Sequence, residues 1–522
     1  MEKNIEYYFK KYNTLIKCII FTFIIGMLSH SYMYFNNAIS NDSLNEFITW
    51  DNVRQFKTET GRGLVVFYLQ YIRGIITVPY LVGILSLVYI SVSLYLISKI
   101  FDIKSDIILF MISAIMVLNM TVIALTATYI HDLDADMLSL LLATLSVFFL
   151  TKYNRGYIFG MIPLALSIGL YQAFISFAII LIIFKCILDL IYKENRKKVL
   201  EYGIKGILMI IGAGLFYLLL VKIIVFLTGI NIAEGQYNSI SKIKKLSFLN
   251  IIVFTIKTWI FTIGKLVNPP TILSGNVNIV VHILLLLLIF YFIIKKIIQN
   301  KIDAKTIFMV LLLVVITPIG MNISRVLMRD FSHDVMHYSI FMIYLLPLLF
   351  IDREIFRKDF LELKNKSYRN AVLLIIVFVM FGNFRFANTA YLIKDFEQDA
   401  NMSLFTRINY DMNNIEGYVD GETPVAFVGR PLDQIRRNRD FTLRITGMSR
   451  SFVPYYSYND RYKAYFNYVL MMDTKFVSEE EIDLLSEDSR VINMSVYPSK
   501  DSIKLIDGVL VVKLGNDLND DY

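Results

Sequence analysis

The sequence predicts a polytopic α-helical membrane protein of about eleven spans, followed by a small C-terminal α/β domain outside the membrane. Apolar residues make up 56% of the chain, charged residues only 18%, and the mean hydropathy is +0.56. Soluble domains carry about 25% charged residues, whereas a spanning helix needs ~20 mostly apolar residues. Runs of that length follow one another up to residue 386, and none occurs after it.

The side of each span follows from the lysines and arginines, because cytoplasmic turns keep the positive charge. The basic turns "SKIFDIKSD", "TKYNRG" and "KENRKK" are therefore assigned to the inside, together with the N-terminus. The run 157–192 is too long for one span and is divided at "GLYQAF". The predicted spans are about 14–35, 75–98, 106–127, 137–151, two within 157–192, 203–228, 278–297, 306–323, 336–351 and 370–386.

One further apolar stretch, 250–267, is predicted as an interfacial or re-entrant helix. Pro269 and Pro270 follow it, and a crossing there would place the basic segment "KKIIQNKIDAK" on the outside. That placement would contradict the charge rule.

The region after residue 386 predicts a separate small domain, so the chain divides into 1–386 and 387–522. "PVAFVG" indicates a buried strand, and Ser478 with Glu481 forms the capping-box pattern of a helix start. Asp507 and Gly508 lie between alternating apolar residues, which is a strong hairpin signal.

Composition also excludes several function classes. The net charge of +8 is distributed over short turns between apolar runs, so it does not indicate nucleic-acid binding. Cys18 and Cys186 both lie within apolar runs, which argues against a disulfide framework or a zinc site. The chain has no G-x-x-x-x-G-K-[ST] phosphate loop, so it lacks the motor motif of an ATP-driven pump.

Acidic and basic side chains gather in three segments predicted to face the outside. They are Asp42, Asp51 and Arg62 in the first segment, Asp132, Asp134 and Asp136 in the second, and Arg325 and Arg329 in the third. A carboxylate there can take a proton from an attacking hydroxyl. An arginine can hold phosphate oxygens through paired hydrogen bonds. The pattern therefore predicts chemistry on a lipid-linked phosphate.

Simpler interpretations of the same residues stay open. Acids in outer loops are usually solvated, and the segment "DLDAD" also suits a helix start or a divalent cation site. His333 and His337 have the spacing of one helix face but no evident third ligand, so no metal ligand is assigned. Arg325 and Arg329 also suit anchoring to lipid headgroups.

The ordered set of motifs resembles the bacterial GtrII-like glucosyltransferases, which decorate surface polysaccharides and are similar to GT-C glycosyltransferases. The resemblance covers most of the chain. The matching pieces are Asn41-Asp42, Gly61-Arg62, "YIHDLDAD", Tyr171-Gln172-Ala173, Arg325, Arg329, and the C-terminal "PVAFVG" and "VYPSKDSIKLIDGVLVVKL".

The resemblance implies a GT-C-like fold in the cell membrane and a sugar, glucose or another hexose, moved from a polyprenyl-phosphate donor to a glycan or glycolipid acceptor. It also implies that Asp42 is the catalytic base, with Asp51 in reserve. No cofactor is assigned, and a divalent cation stays an alternative. Membrane lipid is an expected partner, and nucleic acid is not.

The remaining roles follow from the same resemblance. Arg62, with Arg325 or Arg329, would hold the donor phosphate. The three aspartates would bind sugar hydroxyls, orient a basic group or hold a metal, and Tyr171 with Gln172 would line the cavity. Rival interpretations are a lipid-sugar flippase or transporter, a polysaccharide polymerase or ligase, and a non-catalytic membrane scaffold. Transporters tend to have internal repeats and ionisable residues near the membrane midplane, and neither is visible here.

Overall fold

The computed structural model describes residues 12–36, 39–40, 43–44, 50–233, 247–270, 275–328, 332–355, 363–429 and 459–516. Of the predicted site residues, Asp42 and Arg329 lie outside these stretches. The helices up to residue 355 are α1 (Asn13–Phe35), α2 (Trp50–Glu59), α3 (Gly63–Tyr68), α4 (Pro79–Phe101), α5 (Asp106–Val117), α6 (Met120–Thr128), α7 (Ile130–Lys152), α8 (Gly156–Phe159), α9 (Met161–Leu170), α10 (Ile175–Ile191), α11 (Arg196–Thr228), α12 (Phe248–Val267), α13 (Gly275–Gln299), α14 (Ala304–Met321), α15 (Ile323–Leu327), α16 (Tyr338–Phe341) and α17 (Leu345–Ile355).

The rest of the chain combines helices with three short strands. These elements are α18 (Leu363–Asn413), β1 (Val425–Val428), α19 (Asn459–Ala464), α20 (Glu479–Glu487), α21 (Ser489–Ile492), β2 (Ile503–Ile506) and β3 (Val509–Lys513). Short 3₁₀ or π turns lie at Leu69–Arg73, Gln172–Phe174, Asp334–Met336, Met342–Tyr344, Tyr465–Val469 and Lys500–Ser502.

The helical part has the composition of a multi-pass membrane protein. Within the described residues, nine helices are long and apolar enough to cross a membrane, and α5 with α6 forms a tenth candidate that is bent by 42°. This is one or two fewer than the eleven predicted spans. The run 157–192 is divided at Leu170–Phe174, within the predicted "GLYQAF". Two predicted spans are interrupted: the first half of 157–192 is broken between α8 and α9 at Gly160, and 336–351 contains the 3₁₀ turn Met342–Tyr344.

The interrupted segment 336–351 is apolar because it lies inside the protein, not because it faces lipid. Residues 338–351 are all buried inside the bundle. Asp352, just after this segment, accepts hydrogen bonds from the backbone N–H groups of Lys104 and Ser105 at the start of α5, so the segment leads from the turn at Asp334 to the opposite end of the bundle. The stretch 250–267 forms the 20-residue helix α12, which is long and apolar enough to be a candidate span. Its interfacial or re-entrant position stays a prediction.

One end of the bundle contains basic turns and the starts of α5, α11 and α14, and we call it the basic end. Side chains of Ser105, Asn195 and Asp303 each accept a backbone N–H as the N-caps of α5, α11 and α14, which satisfies donors that a helix start leaves open. Ion pairs join the turns of this end: Lys152 with Asp102 at 3.1 Å and Arg196 with Asp303 at 2.7 Å.

The break between α5 and α6 leaves three backbone carbonyls without helical partners inside the apolar bundle. Each one accepts a hydrogen bond from a side chain of another element. The Tyr338 hydroxyl donates to Met116 O at 3.2 Å, His30 Nε2 to Val117 O at 3.0 Å, and Asn383 Nδ2 to Leu118 O at 3.0 Å. Because hydrocarbon offers no hydrogen-bond partners, such a break is stable only when neighbouring helices supply them.

The C-terminal elements confirm the three local predictions made for them. β1 forms at the predicted strand, and Ser478 with Glu481 completes a capping box at the start of α20. β2 and β3 pair antiparallel around Asp507 and Gly508, both with positive φ (49° and 81°), as a tight hairpin turn requires. The sheet order is β1-β3-β2, with β1 parallel to β3.

Helix α18 runs without interruption for 51 residues and crosses the predicted domain boundary at 386–387. Its last turns pack against the sheet, since Phe405 and Ile408 share a buried cluster with Phe427 and Leu510. Leu44 belongs to the same cluster. The division into 1–386 and 387–522 stays a prediction.

Candidate functional site

The three aspartates of "DLDAD" lie in the first turns of α7, and all three are buried. Successive helical residues are rotated by about 100°, so residues four apart share a face and residues two apart do not. Asp132 and Asp136 therefore point to one side and Asp134 to the other. The alternate spacing of the three aspartates thus supplies carboxylates to two faces of one helix.

On the first face, one arginine joins two carboxylates. Arg62 Nη1 lies 3.2 Å from Asp132 Oδ2, and Arg62 Nη2 lies 2.9 Å from Asp136 Oδ1. Lys57 donates to the same Asp132 oxygen. The side chains of Lys57 and Asp132 are 7% and 5% exposed, so this ion pair is almost completely withdrawn from water.

On the second face, Asp134 contacts different partners. The Tyr68 hydroxyl donates to Asp134 Oδ2 at 2.8 Å, and Arg73 Nη1 lies 3.8 Å from Asp134 Oδ1. Arg73 also donates to the carbonyl of His131. Together Lys57, Arg62, Arg73, Asp132, Asp134 and Asp136 form what we call the ion cluster. Its three cations and three carboxylates balance, as buried charges must for the fold to be stable.

A glycine turn delivers the two basic residues of the first face. Gly61 N–H donates to Thr58 O and Arg62 N–H to Lys57 O, which is the hydrogen-bond pair of a Schellman motif at the end of α2. Gly61 has φ +79°, the left-handed conformation that this motif needs. The chain therefore reverses at Gly61 so that Lys57 and Arg62, on either side of the turn, both meet Asp132.

We expect Gly61→Ala to lower the stability of the protein by about 1–2 kcal/mol, because a Cβ is disfavoured in left-handed backbone. Thermal unfolding of the purified protein in detergent measures this. Gly214→Ala is the matched control, since Gly214 lies inside α11 and an added Cβ there meets no atom within 4 Å. Equal melting temperatures for the two variants would contradict the requirement for the turn.

Tyr171 and Gln172 lie at the break between α9 and α10 and support the same turn. Gln172 Nε2 donates to Thr60 O at 3.1 Å, and Arg62 Nε donates to Leu170 O at 2.9 Å. The Arg62 guanidinium lies over the Tyr171 ring, 4.8 Å from its centroid. These contacts thus help to hold Arg62 in place beside the carboxylates.

Arg325 lies in a second group of polar residues that surrounds one aromatic ring, Phe261 of α12. Its guanidinium is 3.8 Å from the ring centroid, and the ammonium of Lys265 is 5.6 Å from it. Lys265 Nζ donates to Asp334 Oδ1 at 2.7 Å. We call Phe261, Lys265, Arg325, Ser332, Asp334 and His337 the Phe261 cluster.

A chain of hydrogen bonds orders this cluster. Arg325 Nη1 lies 3.3 Å from Ser332 Oγ, which is 2.9 Å from His337 Nε2, and His337 Nδ1 lies 3.0 Å from Asp334 Oδ1. An ionised carboxylate only accepts, so Nδ1 carries the proton and Nε2 accepts from Ser332. Burial raises the pKa of Asp334, but the hydrogen bond from His337 and the charge of Lys265 outweigh it, so that pKa lies well below its ordinary value.

The predicted helical pair of histidines is not formed. Residues Asp334–Met336 make a 3₁₀ turn that is preceded by extended backbone at His333, so His333 and His337 do not share an α-helical face. Around the described residues, no group of three or more His, Cys, Asp or Glu side chains is placed to hold a metal ion. The aspartates of the ion cluster face lysine and arginine instead.

Tyr171 connects the two clusters. Its ring contacts Arg62 of the ion cluster, while its hydroxyl lies 3.5 Å from the carbonyl of Val335, beside Asp334. Thr121 of α6 also donates to Asp334 O at 2.9 Å. Both clusters therefore lie at one end of the bundle, and α7 leads from that end to Lys152 at the basic end.

Of the two predicted catalytic acids, Asp42 and Asp51, the structure describes only Asp51. Asp42 lies outside the described residues, but its neighbour Ser40 donates to the carbonyl of Thr128, the last residue of α6, at 2.7 Å. Asp51 is 78% exposed and pairs with Arg54 on the surface of α2. Asp51 therefore does not join the ion cluster, and its catalytic role stays a prediction.

Residues of the two clusters that were not predicted include Lys57, Arg73, Phe261, Lys265 and Ser332. Burial lowers the pKa of Lys57, although the charge of Asp132 opposes that shift. The one sequence signal for Lys57 is its place in the last turn before a helix-ending glycine. Lys57 contacts a residue 75 positions away, and no local pattern encodes such a pairing.

Comparison with known proteins gives one match. The sequence profile described as Glucosyl transferase GtrII matches residues 31–350, more than half of the chain. The matched region contains both clusters. No curated protein and no solved structure matches the chain.

Proposed function

Because the chain belongs to the GtrII glucosyl transferase family, we propose that it moves a hexose such as glucose from a polyprenyl-phosphate donor to a surface glycan or glycolipid. The protein is a multi-pass membrane glycosyltransferase. The donor, the acceptor and the side of the membrane are the parts that we propose.

The observation that carries the proposal is the joining of two chemically different clusters at one end of the bundle through Tyr171. The ion cluster is buried and balanced in charge, which suits a scaffold for sugar and for the reacting groups. The Phe261 cluster brings two cations, Lys265 and Arg325, to one ring, and such cations suit a phosphate. A lipid-linked sugar phosphate needs both environments side by side at the membrane boundary.

The proposed reaction is a displacement at the anomeric carbon of the donor sugar. Asp42 takes the proton from the acceptor hydroxyl as its oxygen forms the new bond to that carbon. The bond between the carbon and the phosphate oxygen breaks, and polyprenyl phosphate leaves. Arg325 stabilises the charge that develops on the phosphate, a role that Arg329 shares in the prediction.

The contacts of Arg62 favour a different role from the predicted one of holding the donor phosphate. Its Nε and both Nη atoms are within hydrogen-bond distance of Leu170 O, Asp132 and Asp136. We therefore propose that Arg62 mainly fixes the aspartates, whose other oxygens then meet the sugar hydroxyls. Asp132 Oδ1 is buried without a hydrogen-bond partner in the structure, and it is the oxygen best placed for that contact.

The proposed orientation places the two clusters outside and the basic end in the cytoplasm. Lys152 and Arg196, both in short turns of the basic end, support this through the charge rule. The N-terminus is then cytoplasmic, and the sheet at the end of α18 is extracytoplasmic. A lipid-linked donor fits this orientation, since activated nucleotide sugars stay in the cytoplasm.

Mass analysis of surface glycans from cells with and without the protein tests the function. We expect one hexose to be missing from a surface glycan in its absence, and to return when the gene is restored. The purified protein should also transfer hexose from polyprenyl-phosphate hexose to that glycan. Identical glycans in both cells, together with no transfer by the purified protein, would overturn the proposal in favour of a carrier or scaffold.

A further inference from the structure

We propose that the C-terminal sheet positions the proposed base Asp42, because the segment 39–44, which contains that residue, is anchored to the sheet at both of its ends. Ile39 and Leu44 are then positioning residues, which act on the reaction through the acid that lies between them in the sequence. The family match ends at residue 350, so this role belongs to a part of the chain that the match does not cover. The inference rests on the proposed function and deepens it.

The two ends of the segment belong to the apolar cluster on one face of the sheet. Ile39 is 6% exposed, and Leu44 is fully buried. Their cluster also contains Phe405 of α18, Phe427 of β1 and Leu510 of β3. Side chains in such a close-packed interior keep defined positions. Elements near the other end of the chain therefore fix both ends of the segment.

Polar contacts with α18 fix the approach to the segment as well. The backbone N–H of Ile39 donates to Gln398 Oε1 at 2.9 Å, and the Tyr32 hydroxyl at the end of α1 donates to Asp395 Oδ2 at 2.6 Å. Both acceptors lie within one turn of α18, since they are three residues apart. The helix that packs against the sheet therefore also holds the chain that leads to Asp42.

Two serines connect the segment to the start of α7. Ser43 N–H donates to Ser40 Oγ at 3.1 Å, and Ser40 N–H donates to Ser43 Oγ at 2.8 Å. Ser40 Oγ in turn donates to the carbonyl of Thr128 at 2.7 Å, two residues before α7 begins. Asn41 and Asp42 lie between these serines in the sequence. The residues on both sides of the proposed base are therefore held beside the helix that carries the three aspartates.

General-base catalysis depends on such placement, because the carboxylate must lie within hydrogen-bond distance of the acceptor hydroxyl. A displacement of ~1 Å caused by a distant change can lower a rate about 10²-fold. The segment contacts the sheet on one side and the end of α6 on the other. A looser contact with the sheet should therefore lower kcat, while KM for the donor, which other residues bind, should stay the same.

Thiol labelling tests the anchoring without an assay of transfer. The native Cys18 and Cys186 are both buried, and peptide mapping separates them from a new cysteine in the full-length Leu44→Cys protein. We expect a maleimide to label position 44 at least about tenfold more slowly in the folded protein than in the denatured one, because Leu44 is fully buried. Adding Phe405→Ala should raise the labelling rate of the folded protein about tenfold, because it opens the shared cluster.

Ile482→Ala is the matched control for both experiments. Ile482 of α20 is 4% exposed, so it is also buried in the C-terminal part of the chain. It packs with Ala426 and Val511, which face the other side of the sheet because side chains alternate along a strand. Its loss should leave position 44 protected. Labelling that Phe405→Ala does not raise, or that Ile482→Ala raises equally, would overturn the anchoring.

Transfer kinetics test what the anchoring does. Leu44→Ala should lower kcat about 10- to 100-fold, while KM for polyprenyl-phosphate hexose should stay within about twofold of the parent. Leu44→Met keeps most of the side-chain volume and should hold kcat within about threefold of the parent. Ile39→Val is a milder change at the other end of the segment and should lower kcat about threefold, again without a change in KM. Ile482→Ala should transfer like the parent.

Each other outcome counts against a defined part of the proposal. Parent-like kcat in both Leu44→Ala and Ile39→Val, or an equal loss in Ile482→Ala, would overturn the positioning role and leave the proposed function standing. A raised KM with unchanged kcat would overturn it too, because the segment would then bind substrate instead of placing the acid. Absence of transfer by the parent would refute the proposed function, whereas labelling would still decide whether the sheet anchors the segment.

Discussion

Asp42→Asn is expected to lower the rate of hexose transfer by ~10²- to 10⁴-fold, the usual contribution of a general base. The amide keeps the size of the carboxylate but does not take up a proton, so folding and membrane insertion should be unchanged. Transfer from polyprenyl-phosphate hexose by purified protein measures the effect, with the amount of protein in the membrane as the reference.

Asp51→Asn separates the two predicted acids. Asp51 is exposed and pairs with Arg54, so we expect its loss to reduce transfer far less than the loss of Asp42. Full transfer by Asp42→Asn combined with a large loss in Asp51→Asn would assign the base to Asp51. Full transfer by both variants would remove the first outer segment from the chemistry.

The second large effect is expected from Arg62→Gln, which should destabilise the protein by about 3–5 kcal/mol. Arg62 is the common partner of Asp132 and Asp136, and its side chain is only 14% exposed. Without it the ion cluster keeps two cations for three carboxylates, so one buried charge is left uncompensated. Thermal unfolding in detergent should show a much lower melting temperature, and transfer should fall with it.

Two further variants test whether charge is the cause. Arg54→Gln removes a surface ion pair, for which a loss of only about 0–1 kcal/mol is expected. The double variant Arg62→Gln with Asp136→Asn restores the charge balance and should recover part of the lost stability. A double variant that is less stable than Arg62→Gln alone would indicate that packing against Tyr171, rather than charge, makes Arg62 important.

Local chemistry explains why some elements could be predicted and others not. The capping box at Ser478 and the Asp507-Gly508 turn depend on residues a few positions apart, and both form as predicted. The break at Leu118 depends on donors from distant elements, including His30 and Asn383. Nothing in the apolar run 106–127 indicates where such donors will lie, so it was predicted as one straight span.

In the candidate site, too, some residues could be predicted from the local sequence and others could not. The aspartates of "DLDAD" and the arginines could be selected from the sequence, because ionisable residues at the edge of apolar runs are uncommon. Their partners could not, because Lys57 and Arg73 meet α7 only through tertiary packing. Lys265 was overlooked for a related reason: at the end of an apolar helix, a lysine ordinarily extends to the membrane surface.

The length of α18 sets the distance between the start of this helix and the C-terminal sheet. Its 51 residues extend about 75 Å at 1.5 Å per residue, more than twice the ~30 Å thickness of the hydrocarbon layer. The helix has no break within that length, and its final turns are built into the core of the three-stranded sheet. The sheet and the end of α18 therefore share one core, so the sheet does not move independently of this helix.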